Sequence, residues 1–406
     1  MSQRKKPWKG QPPASWINWE AQTNGREARG GAEFALYTDS HPTNEIRTGL
    51  GPYSLLNTIP AFADETGDPG AAPVPREPKP LILRVSDHLF DQADPVLSLW
   101  LPNSSIDHEL SGLISLTLGR RIKAGGLTRR FYPDGDPAGE PFEYGHRRPY
   151  LPQGDPILGW QLPMLRGQVE LMSAQPRLAT YGGLEPQEAA MLARAARGYA
   201  DAIWIAEGDP QEAWIRLVGA IEAAAGFWGY GRTTPLAAVA ESMPDLPPLL
   251  AQVDDDLSRQ IAEVLETLTG SGARFADFLM TYLPPEPQLR PEYGLLDWTN
   301  LRPGLAKIYN ARSKALHVGT PIPWGMCMAP RPDSGTWMEK IFEGATFWHD
   351  GEKYTSAQTP MLLHTFAFIV RGALLNWWED MAPATVEPAT APNPSEAAAP
   401  DVETAG

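Results

Sequence analysis

The feature that most constrains the fold of this chain is a helical periodicity of apolar residues in its C-terminal half. From about residue 186 to residue 381, apolar residues recur at intervals of three and four, which places them on one face of a helix. The pattern predicts four helices, at about 187–207, 210–226, 299–318 and 360–380. One or two more are expected between Leu246 and Leu283. Because amphipathic helices bury their apolar faces against one another, the sequence predicts a helical bundle with an inserted helical segment.

The ends of two predicted helices carry sequence signals. Asp209 can cap the second helix, Pro210 suits its first position, and Glu212 completes a capping box. Gly226 is placed to stop that helix. Gly319 is expected to end the helix that begins near residue 299, because glycine readily adopts the left-handed conformation found after helix C-termini.

The rest of the chain has weaker patterns and is rich in proline, with 42 prolines in 406 residues. Residues 1–30 are expected to be flexible. Residues 31–180 are expected to form an irregular α+β region, with a strand at 80–85 and a helix at 106–122. The tail, 382–406, is rich in Ala and Pro and is expected to be disordered. The expected fold class is therefore mainly α, with an irregular N-terminal α+β region before the bundle of 186–381.

Charge and cysteine content exclude several classes of protein. The net charge of −15 argues against non-specific coating of nucleic acid, because phosphate binding draws on a positive field. The one cysteine, Cys327, excludes an internal disulfide framework and a cysteine-rich zinc cluster. A cytoplasmic location and no metal or other cofactor are expected. The most apolar stretch contains His364, Arg371 and Asn376, which favours a buried helix over a membrane span, so no membrane partner is expected.

Arg312 is the most unusual residue of the predicted bundle, because it falls within the apolar stripe of its helix. The stripe consists of Leu301, Leu305, Ile308, Ala315 and Leu316. A permanent charge in such a stripe is costly unless it is paired or used. His317 follows in the last turn, about 140° around the helix axis from Arg312. Ser313 lies one turn before His317, on the same face.

Arginine and histidine are the residue types that metal-free RNA cleavage requires. In that reaction the 2′-hydroxyl attacks the neighbouring phosphate, a histidine transfers a proton, and an arginine stabilises the developing charge. One Arg and one His on different helix faces do not complete such a site, whereas two copies related by a two-fold axis do. The alternative is that Arg312 and His317 serve only packing and a salt bridge.

The segment Ile308-Tyr-Asn-Ala-Arg-Ser-Lys-Ala-Leu-His-Val-Gly319 resembles the signature of the Apea-like branch of the HEPN superfamily. That signature has a Tyr shortly before Arg-Ser, then a His with a Gly close behind. Residues 209–222 are similar to the family helix that ends in an Ala-Leu-Glu-like triplet. Two positions depart from the pattern: active members more often have Asn, Asp or His in place of Ser313, and Val318 separates His317 from Gly319. The likeness covers about 186–381.

This resemblance implies a dimeric HEPN-like bundle with metal-independent endoribonuclease activity, in phage defence or a toxin system. RNA would be the substrate, and an antitoxin or defence protein a candidate partner. Arg312 and His317 would be catalytic, with Ser313 as the polar residue after the arginine. Glu222 is expected either to contact Arg312 or its symmetry mate, or to lie in water at its helix end. The alternative function is a non-catalytic HEPN module that binds RNA or protein.

A basic run between residues 120 and 150 is a candidate RNA-binding surface. Its basic residues are Arg120, Arg121, Lys123, Arg129, Arg130, Arg147 and Arg148, and Phe131, Tyr132 and Tyr150 are interleaved with them. Positive charge suits the RNA backbone, and aromatic rings suit base stacking. The alternatives are a solvated charged loop, or an N-terminal half that recognises a different ligand.

Overall fold

The structure, a computed structural model, describes residues 10–28, 30–57, 80–89, 106–131, 149–152, 159–230, 236, 239–240, 243, 245–266, 270–349 and 351–382. Within these residues the chain is mainly helical, with one small antiparallel sheet and three two-stranded pairings. The coarse expectation of a mainly α protein with an N-terminal α+β region is therefore confirmed. The predicted tail beyond Ala382, and Arg147 and Arg148, lie outside the described residues.

The N-terminal part of the chain forms a five-stranded sheet. The strands of the structure are β1 (Gly31–Tyr37), β2 (His41–Thr43), β3 (Ile46–Leu50), β4 (Tyr53–Leu56), β5 (Leu81–Ser86), β6 (Lys123–Phe131), β7 (Gln168–Glu170), β8 (Pro332–Asp333), β9 (Thr336–Trp337), β10 (Thr346–His349) and β11 (Glu352–Thr355). The sheet has the order β3-β4-β5-β1-β6. In it Phe34 of β1 lies opposite Leu83 on one side and Leu127 on the other, both pairings being antiparallel. Strand β5 confirms the strand predicted at 80–85.

The helices are α1 (Ala14–Thr23), α2 (Ile106–Leu118), α3 (Gln175–Leu178), α4 (Pro186–Ile205), α5 (Pro210–Trp228), α6 (Pro247–Leu250), α7 (Asp255–Glu266), α8 (Ser271–Thr281), α9 (Arg302–Val318) and α10 (Leu363–Met381). Four of them, α4, α5, α9 and α10, confirm the helices predicted for the bundle. They pack together with α8, which contacts both α5 and α9. Stacking of Trp214 on Phe366, with ring centroids 4.8 Å apart, joins α5 to α10 in the core.

Helix ends match the predicted signals in part. Asp209 accepts a hydrogen bond from the Glu212 amide at 2.9 Å, as a capping residue does. Gly319 follows α9 with a left-handed φ of 72°, as predicted. Gly226 does not stop α5, which continues to Trp228, because glycine inside a helix weakens it without breaking it. Conversely α2 ends at Leu118, short of the predicted end at residue 122, because Gly119 takes a φ of 60°.

The expectation that residues 1–30 are flexible was wrong for 14–23, which form α1. Trp16 is buried and donates its ring N–H to the Leu184 carbonyl at 3.0 Å. The amides of Ala14 and Ser15 donate to the Glu109 carboxylate at 3.2 and 2.8 Å, which satisfies the start of the helix. Both partners lie far along the chain, so local sequence does not reveal them.

The core is continuous across the boundary near residue 180 that the sequence suggested. Helix α2 packs against α4, and one buried cluster contains Leu83 of the sheet, Leu113 of α2, Leu192 of α4 and Trp377 of α10. The sheet region and the helical bundle therefore bury their apolar side chains together. Among the described residues, no helix has the length and apolarity that crossing a membrane requires.

Candidate functional site

Arg312 lies in an ion pair that joins α9 to α5. Its Nη2 is 2.5 Å from Oε2 of Glu222, and the two side chains are 20% and 21% exposed. This is the contact between Glu222 and Arg312 that the sequence raised as one of two alternatives. The Nε atom of Arg312 is buried and has no hydrogen-bond partner among the described residues. The guanidinium group is therefore held at a fixed place at the edge of the bundle, with Nη1 as its remaining polar nitrogen.

Tyr309 lies beside this ion pair. Its hydroxyl is 2.6 Å from the hydroxyl of Ser271, the first residue of α8. Burial raises the pKa of Tyr309 above its ordinary value, and the negative charge of Glu222 raises it further. We call Glu222, Ser271, Tyr309 and Arg312 the Arg312 cluster. Sequence reasoning did not find Ser271, whose only signal was its place in the Gly270-Ser271-Gly272 interruption between two helices.

His317 lies outside the Arg312 cluster. It is exposed in the last turn of α9, and its side chain forms no hydrogen bond or ion pair with the residues that the structure describes. Ser313, between Arg312 and His317, is partly buried. Arg312 is thus held against α5 while His317 faces solvent, so a single copy of the chain does not join the two groups in one pocket.

The apolar stripe of α9 is buried only in its first half. Leu301, Leu305 and Ile308 are buried, whereas Leu316 is 49% exposed. Ala315 is partly buried and packs against the core, so the stripe faces the bundle as far as Ala315 and its last member, Leu316, lies at the surface. Val318 is 75% exposed, so two apolar side chains flank His317 in solvent.

Arg121, predicted to contact RNA, is instead fully buried. Its Nε donates to the Ile203 carbonyl at 2.7 Å, Nη1 pairs with Asp39 at 2.8 Å, and Nη2 pairs with Glu207 at 2.6 Å. All three guanidinium nitrogens are used within the protein. Arg121 is therefore not available to a nucleic acid, and the prediction is corrected to a structural ion pair.

Most of the other basic residues of the run that the structure describes also have partners within the protein. Lys123 pairs with Asp201 at 2.6 Å, and Arg129 pairs with the buried carboxylate of Glu33 at 2.9 Å. Arg120 donates to main-chain carbonyls. Arg130 remains exposed on β6. The acids that pair with this run come from distant segments, so the run looked more positive in sequence than it is in the fold.

No protein-family model, no curated protein and no solved structure matches this chain. Among the described residues there is no group of three or more His, Cys, Asp or Glu side chains arranged to hold a metal ion.

Proposed function

We propose that this protein is a metal-independent endoribonuclease of the HEPN type, whose active site forms where α9 of one copy meets α9 of a second copy. The observation that carries the proposal is the arrangement on α9 itself. A guanidinium held by Glu222 and a solvent-facing imidazole lie on one helix, and the residues on either side of His317, Leu316 and Val318, are exposed. Contact between two such helices would bring a second Arg312 and a second His317 to the same surface.

The two side chains suit different steps of the reaction. The 2′-hydroxyl of a ribose attacks the adjacent phosphorus, the P–O5′ bond breaks, and a 2′,3′-cyclic phosphate forms. A neutral His317 can accept the proton of the 2′-hydroxyl, and a protonated His317 of the second copy can donate one to the leaving 5′-oxygen. Arg312 would stabilise the phosphorane through Nη1, since Glu222 contacts Nη2 and Nε is buried.

One observation favours the second candidate function, a non-catalytic HEPN module that binds RNA or protein. Glu222 lies 2.5 Å from Arg312 and neutralises its charge. A phosphate must compete with that carboxylate, whereas a purely structural arginine needs no other partner. In this alternative the Arg312 cluster holds α9 on α5, and Leu316 and Val318 bind a partner without chemistry.

Incubation of the purified full chain with total RNA in EDTA separates the two functions. Cleavage that persists in EDTA supports the ribonuclease. A folded protein that leaves every RNA intact supports the non-catalytic module. Participation of phage-defence or toxin partners is a further part of the proposal, and it rests on the sequence resemblance alone.

A further inference from the structure

A cavity of about 460 Å³ lies apart from the Arg312 cluster, and none of the four cluster residues lines it. It is formed by the C-terminal end of α2, by α10, and by the segments around residues 163, 288 and 336. Its volume falls in the range of roughly 300–1,000 Å³ that small-molecule sites occupy. Most of its wall is apolar and includes Leu118, Leu162, Met164, Leu165, Leu289 and Phe368.

Two arginines meet at one end of this cavity. Arg371 of α10 donates from Nε to the Leu116 carbonyl at 2.8 Å and from Nη2 to the Thr117 carbonyl at 2.5 Å. Arg120 donates from Nη1 to the Gly119 carbonyl at 3.1 Å. A Cβ atom on Gly119 would lie only 2.7 Å from Arg371 Nε, and Gly119 has a left-handed φ of 60°. Glycine at this position therefore lets both guanidinium groups approach the end of α2.

The two arginines bring positive charge to this end of the cavity, and the charge of Asp39 also acts on Arg120. Among the described residues, neither forms an ion pair with a carboxylate, and their hydrogen-bond acceptors are main-chain carbonyls. Glu339 also lines the cavity, but its carboxylate accepts from Arg290 at 2.7 Å and from the Leu296 amide at 2.7 Å. The pKa of Arg120 is lowered, first by burial and then by repulsion from Arg371.

Two buried nitrogen atoms at the cavity have no hydrogen-bond partner among the described residues. They are Nε of Arg120 and Nδ1 of His364. Buried polar atoms without a partner are uncommon, and both of these belong to side chains that line the cavity.

We propose that this cavity binds a small molecule with one anionic head group, a carboxylate or a phosphate, and an apolar body. The head group lies between Arg120 and Arg371, whose planar donors suit either anion. The apolar body contacts the leucines and Phe368. Binding there is independent of the RNA chemistry at α9, because the two sites share no residue.

Isothermal titration calorimetry of the full chain tests the proposal with three probes of one chain length. They are decanoate and decyl phosphate, both below their critical micelle concentrations, and decanol below its solubility limit. At least one anionic probe should bind with one-to-one stoichiometry, and decanol should bind at least about tenfold more weakly, because it lacks the charge-assisted hydrogen bonds. The tighter of the two anions identifies the head group. Equal affinity for decanol and the anions, or no binding of either anion, would overturn the proposal.

Two variants locate the binding site. Arg371→Gln removes one charge and should weaken anion binding about tenfold. Because Arg371 also holds the end of α2, its substitution can disturb the fold as well as the site. A surface variant, Leu289→Glu, therefore provides a second test by placing a negative charge in the cavity wall. Leu249→Glu is its matched control, because both leucines are 59% exposed and Leu249 does not line the cavity. Weaker anion binding in Leu289→Glu alone supports the site, whereas equal affinities in these two variants would contradict it.

Discussion

Nη2 of Arg312 lies 2.5 Å from Oε2 of Glu222, and this ion pair fixes the one charged group in the apolar stripe of α9 against α5. The ion pair can stabilise the packing of α9 on α5, and it can hold the guanidinium in place for RNA cleavage. Substitution of Glu222 separates these two roles. Because both side chains are about one-fifth exposed, water screens the pair in part and its net energy is modest.

Glu222→Gln should lower the free energy of unfolding by about 1 kcal/mol, measured by urea denaturation. A double-mutant cycle with Arg312→Gln should show a coupling energy of similar size, since the carboxylate contacts the guanidinium directly. If Arg312 is catalytic, Glu222→Gln should keep RNA cleavage because the guanidinium remains. Arg312→Gln should lose it. Equal loss of cleavage in both variants would contradict a separate catalytic role for Arg312.

Arg121 is expected to be a determinant of stability. Arg121→Met leaves the buried Glu207 without its cation and leaves Asp39 only the longer ion pair with Arg166 at 3.8 Å, so the free energy of unfolding should fall by about 3–5 kcal/mol. Chemical denaturation measures this change. The matched control is Arg130→Met in the same basic run. Because Arg130 is exposed, this variant should change the free energy of unfolding by no more than about 0.5 kcal/mol. Similar small effects in both variants would show that the Arg121 pairs contribute little.

His364 should make the protein less stable in mild acid. Burial lowers the pKa of His364 from 6.5 to about 4. The unfolded chain therefore binds a proton more readily than the folded chain between pH 6.5 and pH 4. The stability due to neutral His364 is fully present above pH 6.5 and is lost as pH falls through this window, by up to about 3 kcal/mol.

His364→Gln should flatten the fall in unfolding free energy between pH 7 and pH 5. Parallel slopes in wild type and His364→Gln would show that another group causes the acid sensitivity.

The exposed apolar end of α9 should mediate self-association. We expect the protein to be a dimer by sedimentation velocity and Val318→Glu to be a monomer, because the contact would bury a charge. Val264→Glu is the matched control on α7, where valine is 67% exposed compared with 75% for Val318. A monomeric wild type, or a dimer that survives Val318→Glu, would remove the basis for a composite site.

The sequence predicted the helices of the bundle well, because helix periodicity and helix-end signals depend on residues that are close together in the chain. The capping residues at Asp209 and the glycine at Gly319 act through their own backbone neighbours. Side-chain partners were less predictable, because they depend on segments brought together by folding. Arg121 looked like part of an exposed basic run, yet its acids lie at positions 39 and 207. Likewise, periodicity placed Leu316 in the apolar stripe of α9, but it did not show that this last member lies at the surface.

The most direct test of the central claim is the chemical nature of RNA ends produced in EDTA by wild type, His317→Ala and His41→Ala. Wild type and the control His41→Ala, which changes another exposed histidine, should yield 2′,3′-cyclic phosphate ends. His317→Ala should yield no cyclic phosphate ends, because the group that transfers the proton is gone. The variant should have the same midpoint of chemical denaturation as wild type, because the ring is exposed and its removal leaves no cavity. Cyclic phosphate ends from His317→Ala at the wild-type rate, or no cleavage by folded wild type, would contradict the account.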